Sequence, residues 1–563
     1  MTDQNPRQIA DAYLAALCAL DPIAATYLGV NLGDDRLPDF SPAGSAAEAA
    51  LCRRTLADLE ACALAGLDRE PADAVCGRLL RERLEADLAR YEAGDHLCAV
   101  GNLHSPAHSV RGVFFSMPAA TEADWAVIAG RLRHVPGALD GYRASLAEGL
   151  TRGLAAAPRQ VDALLGQLAA WLGEDPDGGP GWFADFAAAG PEALRAQLGA
   201  AALEATAGTG RLRDWLREVY APAVRDTPDP VGRDRYRRSA RVYTGADVDL
   251  DEAYDWAWAE WRRIDAEMQG VAGQIKPGAT PKEAMAHLDQ HGHAIEGEEA
   301  VRVWLQELMD QAIVDLDGEH FDLAGPIRKV EAMLAPPGSA AAPYYTGPSL
   351  DFARPGRTWL PTLGQTRFPT WNLVSTWYHE GLPGHHLQIA QWTLLADQLS
   401  KYQVTQGRIS ANSEGWALYA ERLMDELGYL SDPARRLGYL DGQLMRAVRV
   451  IIDIGMHLEL EIPAGSGFHP GERWTPQLGR DFLGRYCGRP DDFLDSELIR
   501  YLGLPGQAIG YKLGERAWLA GRAGARAAAA ARGEEFDLKA WHMKALSLSP
   551  LGLDQLVEAL SGL

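Results

Sequence analysis

No stretch of this chain is apolar for as long as a membrane crossing requires: a spanning helix needs about 18 or more consecutive apolar residues, and no window supplies them. The opening "MTDQNPRQIADAYLAALCALDP" has no basic segment followed by a continuous apolar run, so no secretion signal is read there and a cytoplasmic location is expected. Cysteine is scarce. Its six copies show no CxxC spacing, and five of them (Cys18, Cys52, Cys62, Cys76, Cys98) precede residue 100 while Cys487 stands alone. That pattern excludes a zinc-ribbon or disulfide scaffold and reads as buried apolar thiols in a reducing compartment. Basic charge is also short: 54 Lys and Arg against 77 Asp and Glu leave a formal charge of −23. Such a field repels phosphate backbones and anionic lipid, so neither nucleic acid nor membrane is an expected partner. The densest basic run, "RDRYRRSARVY" from Arg233 to Tyr243, reads as a solvated face, with a patch for an anionic substrate group as its alternative. No repeat of fixed period is visible, and nothing in the sequence signals an oligomeric state.

What is present is material for a large helical core. Apolar residues make up 47% of the 563 and charged residues 23%, the balance of a folded globular chain. Stretches such as "AAEAALCRRTLADLEACALAGL" and "VCGRLLRERLEADLARYEA" repeat apolar residues every three or four positions, which predicts long amphipathic helices. Breaks rich in Pro, Gly and Asp fall at "EDPDGGPGW" and at "APAVRDTPDPVGRD". The second is the expected boundary between an N-terminal helical lobe, 1–228, and a catalytic helical lobe, 229–563. Helices resume near residue 249, with Asp249 or Asp251 as cap, and the Trp and Tyr residues that follow are read as packing. The segment Ala335–Pro361, aromatic and rich in Pro and Gly, cannot continue as helix and predicts a long loop or short strands.

Chemistry concentrates in "YHEGLPGHHLQ", Tyr378–Gln388. A zinc-hydrolase helix places two histidines four residues apart on one face, with a glutamate base beside the first. Here the fourth residue after His379 is Pro383, which cannot bind metal. Two geometries restore a site. If Pro383–Gly384 is a two-residue bulge, removing it gives H-E-x-x-H with Glu380 as base and His385 as second ligand. If the helix runs on nearly regularly, His386, seven positions after His379, lies about 20° from the same face, and the other histidine is free to meet substrate.

A third ligand is available downstream. In "NSEGWALYAERLMDELG", Glu414 and Glu421 share one helical face, with Asn412 and Ser413 as N-cap candidates. Glu414 is the candidate metal ligand, completing a His2Glu set, and Glu421 a supporting carboxylate or ion-pair partner. On "GQLMRAVRVIIDIGMHLELEI" the polar stripe Arg446, Arg449, Asp453, His457 interrupts an otherwise apolar helix. Asp453 is expected to orient an imidazole, and His457 or an arginine to steady substrate or the tetrahedral intermediate, unless the stripe is a buried ion-pair network. In "IRYLGLPGQAIGYKLGE" the Tyr511 hydroxyl is the candidate oxyanion donor, near Arg500, Tyr501, Gln507 and Lys512.

At these residues the sequence resembles the family catalogued as domain of unknown function 885, grouped with zincin-like metallopeptidases. The matching segments, in the family's order, are "HFDLAGPIRKVEAMLAP", "YYTGPSLDFARPGRTW", "YHEGLPGHHLQIAQ", "EGWALYAERLMDELG", "LMRAVRVIIDIGMH" and "RYLGLPGQAIGYKLGE", over about residues 320–515, with "DPIAATYLGV" near the start. The resemblance implies a mainly α, two-lobed Glu-zincin-like fold around a deep central cleft, with little β structure. It also implies that H-E-x-x-P-G-H-H is the family's own form, with His379, the second histidine and Glu414 at the metal positions and Glu380 as general base. Tyr344, Tyr345, Arg354 and Arg357 fall in the matching loop segment and are expected to line the cleft. One departure stands out. After His457 many relatives carry a short Gly–Trp segment, whereas this chain has "LELEIPAGSGFHPGERWTP", which is expected to reshape the cleft rim.

Together these readings give an expected zinc-dependent hydrolase of carboxypeptidase or oligopeptidase type, cutting a peptide or amide bond in a short substrate, with manganese or cobalt also compatible with the ligand set. An arginine from the loop or the third helix is a candidate clamp for a substrate carboxylate. The rival readings are a metal-dependent non-peptide amidohydrolase or a lyase or hydratase of specialised metabolism, and a catalytically inactive binding protein.

Overall fold

The computed structural model describes residues 4–174, 178–336 and 342–563. The chain is mainly helical and divides into two units. One comprises residues 1–231 with Leu502–Leu504, the other Gly232–Tyr501 with Pro505–Leu563. The switch at 231/232 lies next to the expected 228/229 division, while the three residues from the C-terminal half that join the first unit carry no sequence signal. Part of the "EDPDGGPGW" break lies outside the described residues.

In the first unit the helix starts follow from their caps. Asn5 and Gln8 form a capping box ahead of Pro6–Leu20, Ser41 caps Pro42–Ala65, and Thr121 with Asp124 caps Glu122–Thr151. The core is built from Leu132, Leu139, Leu146, Leu164, Leu198 and Leu212, all buried. The cysteines of this unit are buried, as is Cys487 in the second.

The second unit opens with Gly232–Thr244, the helix of the basic run. Arg233 and Arg241 pair there with Asp251 and Asp247, while Tyr236 is buried. In the next helix, Leu250–Ile275, Asp249 is the cap, its carboxylate accepting from the amides of Asp251 and Glu252. Tyr254, Trp258 and Trp261 are buried on one side and Trp258 lies against Trp474, so the segment that departs from the family pattern is anchored at its end by aromatic packing. Helix Ser410–Glu426 packs on Gly510–Ala531 at very short range. A Cβ on Gly415 would lie 2.3 Å from the Gly514 carbonyl carbon, so only glycine lets the two backbones touch. This contact brings Glu414, adjacent to Gly415, and Tyr511, one turn before Gly514, onto facing helices.

The non-helical stretch begins earlier than the Pro/Gly pattern suggested. Helix Glu298–Leu316 ends at Asp317, and regular helix returns only at Leu373. β1 (Ala294–Glu296) pairs antiparallel with β5 (Arg367–Pro369). β2 (Val330–Leu334) runs parallel to β4 (Gly356–Leu360), and β3 (Tyr344–Thr346) is antiparallel to β4 on its other side, with Tyr345 opposite Thr358.

Candidate metal centre

The histidine motif is neither a bulged helix nor a regular one. Helix Leu373–Glu380 stops at Glu380, the four residues Gly381–Gly384 turn the chain, and a new helix starts at His385. The turn is closed by the Gly384 amide donating to the Tyr378 carbonyl at 3.0 Å and the His386 amide to the Gly381 carbonyl at 3.1 Å. A Cβ on Gly384 would lie 2.0 Å from the His379 carbonyl oxygen, so this position admits no side chain. From helix Ser410–Glu426, Trp416 Nε1 donates to the carbonyls of Pro383 and Gly384, at 2.9 and 3.1 Å, and fixes the turn. Trp416 belongs to the same helix as Glu414, so turn and ligand helix move as one piece.

The result is convergence of three donors. One ligand atom each from His379, His385 and Glu414 lies within 4.8 Å of the others. His379 Nε2 is 3.3 Å and His385 Nε2 3.6 Å from Glu414 Oε2, and the two rings stand nearly perpendicular. Tetrahedral zinc with ligands at 2.0–2.1 Å spaces its donors about 3.4 Å apart. Glu414 Oε2 is buried and has no hydrogen-bond partner among the described residues. An electron-rich set of two imidazoles and a carboxylate, packed this closely with an unpartnered buried oxygen, fits a divalent cation.

Glu421, two helical turns beyond Glu414, orients the His379 ring. Its Oε1 lies 2.8 Å from His379 Nδ1, so that nitrogen donates and Nε2 is the atom turned toward Glu414. Its other oxygen accepts from the Ser375 hydroxyl at 2.7 Å, and Arg446 stands 3.7 Å away. This is the carboxylate–histidine support that metal sites use. The electrostatics follow. Burial pushes the His379 imidazole down, yet the Glu414 and Glu421 carboxylates overcome it and carry it up to about 9. Burial works to raise Glu414 as well, but the His385 and His379 rings hold it far below the usual carboxylate range. Glu380, beside His379 and buried, is pushed up by desolvation, only partly opposed by the two imidazoles. Tyr511 is raised by burial and by the Glu414 charge, so its hydroxyl stays protonated, and it has no hydrogen-bond partner among the described residues.

The matching segment described as bacterial protein of unknown function, DUF885, spans residues 22–560. The chain belongs to this family. Its fold is similar to that of a lipoprotein candidate from Colwellia psychrerythraea, at 21% identity and a TM-score of 0.84, and of another, of unknown function, from Shewanella oneidensis, at 17% and 0.76. Each comparison covers 99% of both chains. No curated protein matches. Among the described residues of this DUF885 chain, no helix is long and apolar enough to cross a membrane.

Several expected positions lie elsewhere. His386 points away from the cluster: its Nε2 donates to the Ile327 carbonyl at 2.6 Å and its Nδ1 accepts from the Tyr345 hydroxyl at 2.9 Å, so it is a neutral structural imidazole, held down to about 4 by burial. Of the two neighbouring histidines it is therefore His385 that faces Glu414. Gly356 makes room for this pair, since a Cβ there would meet both Tyr345 Oη and His386 Nδ1. Tyr345 thus braces His386. Tyr344 stacks on Trp359, Arg354 donates to the Gly347 and Pro355 carbonyls of its own loop, and Arg357 pairs with Glu331 across the sheet.

Asp453 does not orient a site imidazole. It accepts from the Tyr236 hydroxyl at 2.6 Å and the Gly506 amide at 2.9 Å, and burial lifts it to about 7. His457, fully buried, donates from Nε2 to the Tyr501 carbonyl at 3.1 Å and packs on Tyr236. The stripe was read from one helix alone, while its partners come from three other helices and the turn at Gly506. Asn412 and Ser413 are not caps either. The helix starts at Ser410, and buried Asn412 bonds to Gln388 and to the Leu551 carbonyl. Ser375 and Trp416 carried no signal that sequence spacing could reveal.

Proposed function

We propose that the chain is a metal-dependent hydrolase of peptide or amide bonds in short substrates, with zinc as the expected ion and a Glu-zincin-like arrangement as the finer fold reading. The observation that carries it is the convergence of His379, His385 and Glu414 directly beside buried Glu380. Those three residues would hold the ion, which when bound supplies Lewis acidity and lowers the pKa of water to about 7.

The chain's own groups do the rest. Glu380, with its proton affinity raised by burial, takes the proton of the attacking water and delivers it to the leaving amine. Tyr511, protonated and without another partner among the described residues, donates to the oxyanion. Glu421, accepting from His379 Nδ1, would fix the tautomer whose Nε2 is offered to the ion once the proton there is displaced. A cytoplasmic location belongs to this proposal; the lipoprotein descriptions are those of the two similar structures.

The test is elemental analysis of the purified protein, with a screen of short peptides and N-acyl amino acids against the metal-loaded form. Stoichiometric divalent metal and turnover are expected, and Glu380→Gln should keep the metal while losing on the order of 10²–10⁴ in kcat. A parent protein with no stoichiometric metal would defeat the reading.

A further inference from the structure

Next to Tyr511 lies a second buried charged cluster with an uneven balance. Arg449 and Arg500 share one carboxylate, Glu497, and all three are 8% exposed. Glu497 is saturated: it accepts from Arg449 Nη2 at 2.8 Å, from Arg500 Nε and Nη2 at 2.8 and 2.7 Å, and from the Tyr501 hydroxyl at 2.6 Å. Arg500 spends its last nitrogen on Gln507 Oε1 at 2.7 Å. Arg449 Nε donates to the Tyr501 hydroxyl, and its guanidinium lies 4.8 Å from the Tyr511 ring centroid. The two guanidiniums therefore share one hydrogen-bonded carboxylate, with Asp453 acting on Arg500 only at longer range, and Arg449 Nη1 has no acceptor among the described residues. A buried guanidinium with unmatched charge is costly unless an anion completes it.

The position selects the anion. Tyr511 carries Arg449 on its ring, and its helix touches the helix of Glu414 backbone to backbone at Gly514 and Gly415, so the surplus sits on the side of the cluster nearest the metal donors. The other arginines expected to meet substrate are committed or turned elsewhere: Arg354 to loop carbonyls, Arg357 to Glu331, Arg446 toward Glu421. One surplus charge suits a monoanion. We propose that Arg449 is a specificity-determining residue that receives the free α-carboxylate of the amino acid on the leaving-amine side, so that the substrates are N-acyl amino acids and short peptides cut at their C-terminal residue. This rests on the hydrolase reading and names its substrate class.

The experiment uses matched pairs on the metal-loaded, full-length protein: N-acyl dipeptides as free acids and as C-terminal amides. The free acids are expected to exceed the amides in kcat/KM by on the order of 10²-fold, mostly through KM, and Arg449→Gln to erase that preference. In parallel, calorimetry measures binding of N-acetyl-leucine, N-acetyl-leucinamide and inorganic phosphate. Equal turnover of acids and amides overturns the proposal while leaving the hydrolase reading intact, as does phosphate binding tighter than the acid. Selective binding of the acid, lost in Arg449→Gln, with no turnover of any substrate, upholds the carboxylate subsite and defeats the hydrolase reading. The acid–amide comparison needs no variant, so it stands even if Arg449→Gln fails to fold.

Discussion

Replacing the two neighbouring histidines one at a time separates ligand from scaffold. His386 is fully buried and makes two hydrogen bonds, to the Ile327 carbonyl and the Tyr345 hydroxyl. In His386→Phe the Ile327 carbonyl loses its partner where water does not reach, at about 1–3 kcal/mol. Tyr345 is only half-buried and can turn toward solvent, so its share is smaller. The expected loss is about 2–4 kcal/mol of stability, with metal affinity close to the parent's. His385→Ala should do the opposite. Its Nδ1 has no partner among the described residues and its Nε2 faces Glu414, so no hydrogen bond is lost, but one of three donors disappears. Metal affinity should fall by more than the 10–100-fold typical of losing an outer hydrogen bond. Urea denaturation read by tryptophan fluorescence gives the first quantity, and competition with a chromophoric zinc chelator the second. A folded His386→Phe protein that no longer binds metal, or His385→Ala with the parent's affinity, would refute the assignment.

Glu421→Gln should keep the fold and weaken metal binding 10–100-fold, because an amide holds the His379 tautomer less firmly than a carboxylate; unchanged affinity in the chelator competition would count against its supporting role. Gly415→Ala inserts a methyl 2.3 Å from the Gly514 backbone and should cost at least about 1–3 kcal/mol while shifting Glu414, so denaturation midpoint and metal affinity should fall together. Stability should also fall in acid. His542 stays neutral in the fold down to about 3, because burial and the nearby Arg522 charge oppose protonation, whereas an unfolded imidazole takes its proton near 6.5. The unfolded state therefore binds the extra proton below about 6.5, and between pH 7 and 5 this residue alone removes about 2 kcal/mol. His542→Phe should flatten the urea-denaturation profile over that interval by that amount, and an unchanged slope would contradict the neutral assignment.

Helix content, the Asp249 cap and the ligand types at residues 379, 385 and 414 were legible because they depend on local periodicity and side-chain chemistry. The polar stripe was legible as a stripe but not as a set of roles. Asp453, Arg449 and His457 take their partners from Tyr236, Glu497 and Tyr501, which a single-helix reading does not bring near. The non-helical segment was placed late because Asp317 to Leu334 contains no cluster of Pro and Gly comparable to that after Ala335, and β2 is specified by pairing with β4 rather than by its own pattern.

The sequence by itself determined that two histidines and a glutamate of metal-binding type would follow one another in a helical chain, since residue identity fixes what each side chain can donate. Which histidine turns toward Glu414 was decided only by tertiary structure. A four-residue turn locked by Trp416, and the tight packing of His386 between Gly356, Tyr345 and Ile327, set the two rings in different directions, and neither constraint lies within the motif's own spacing.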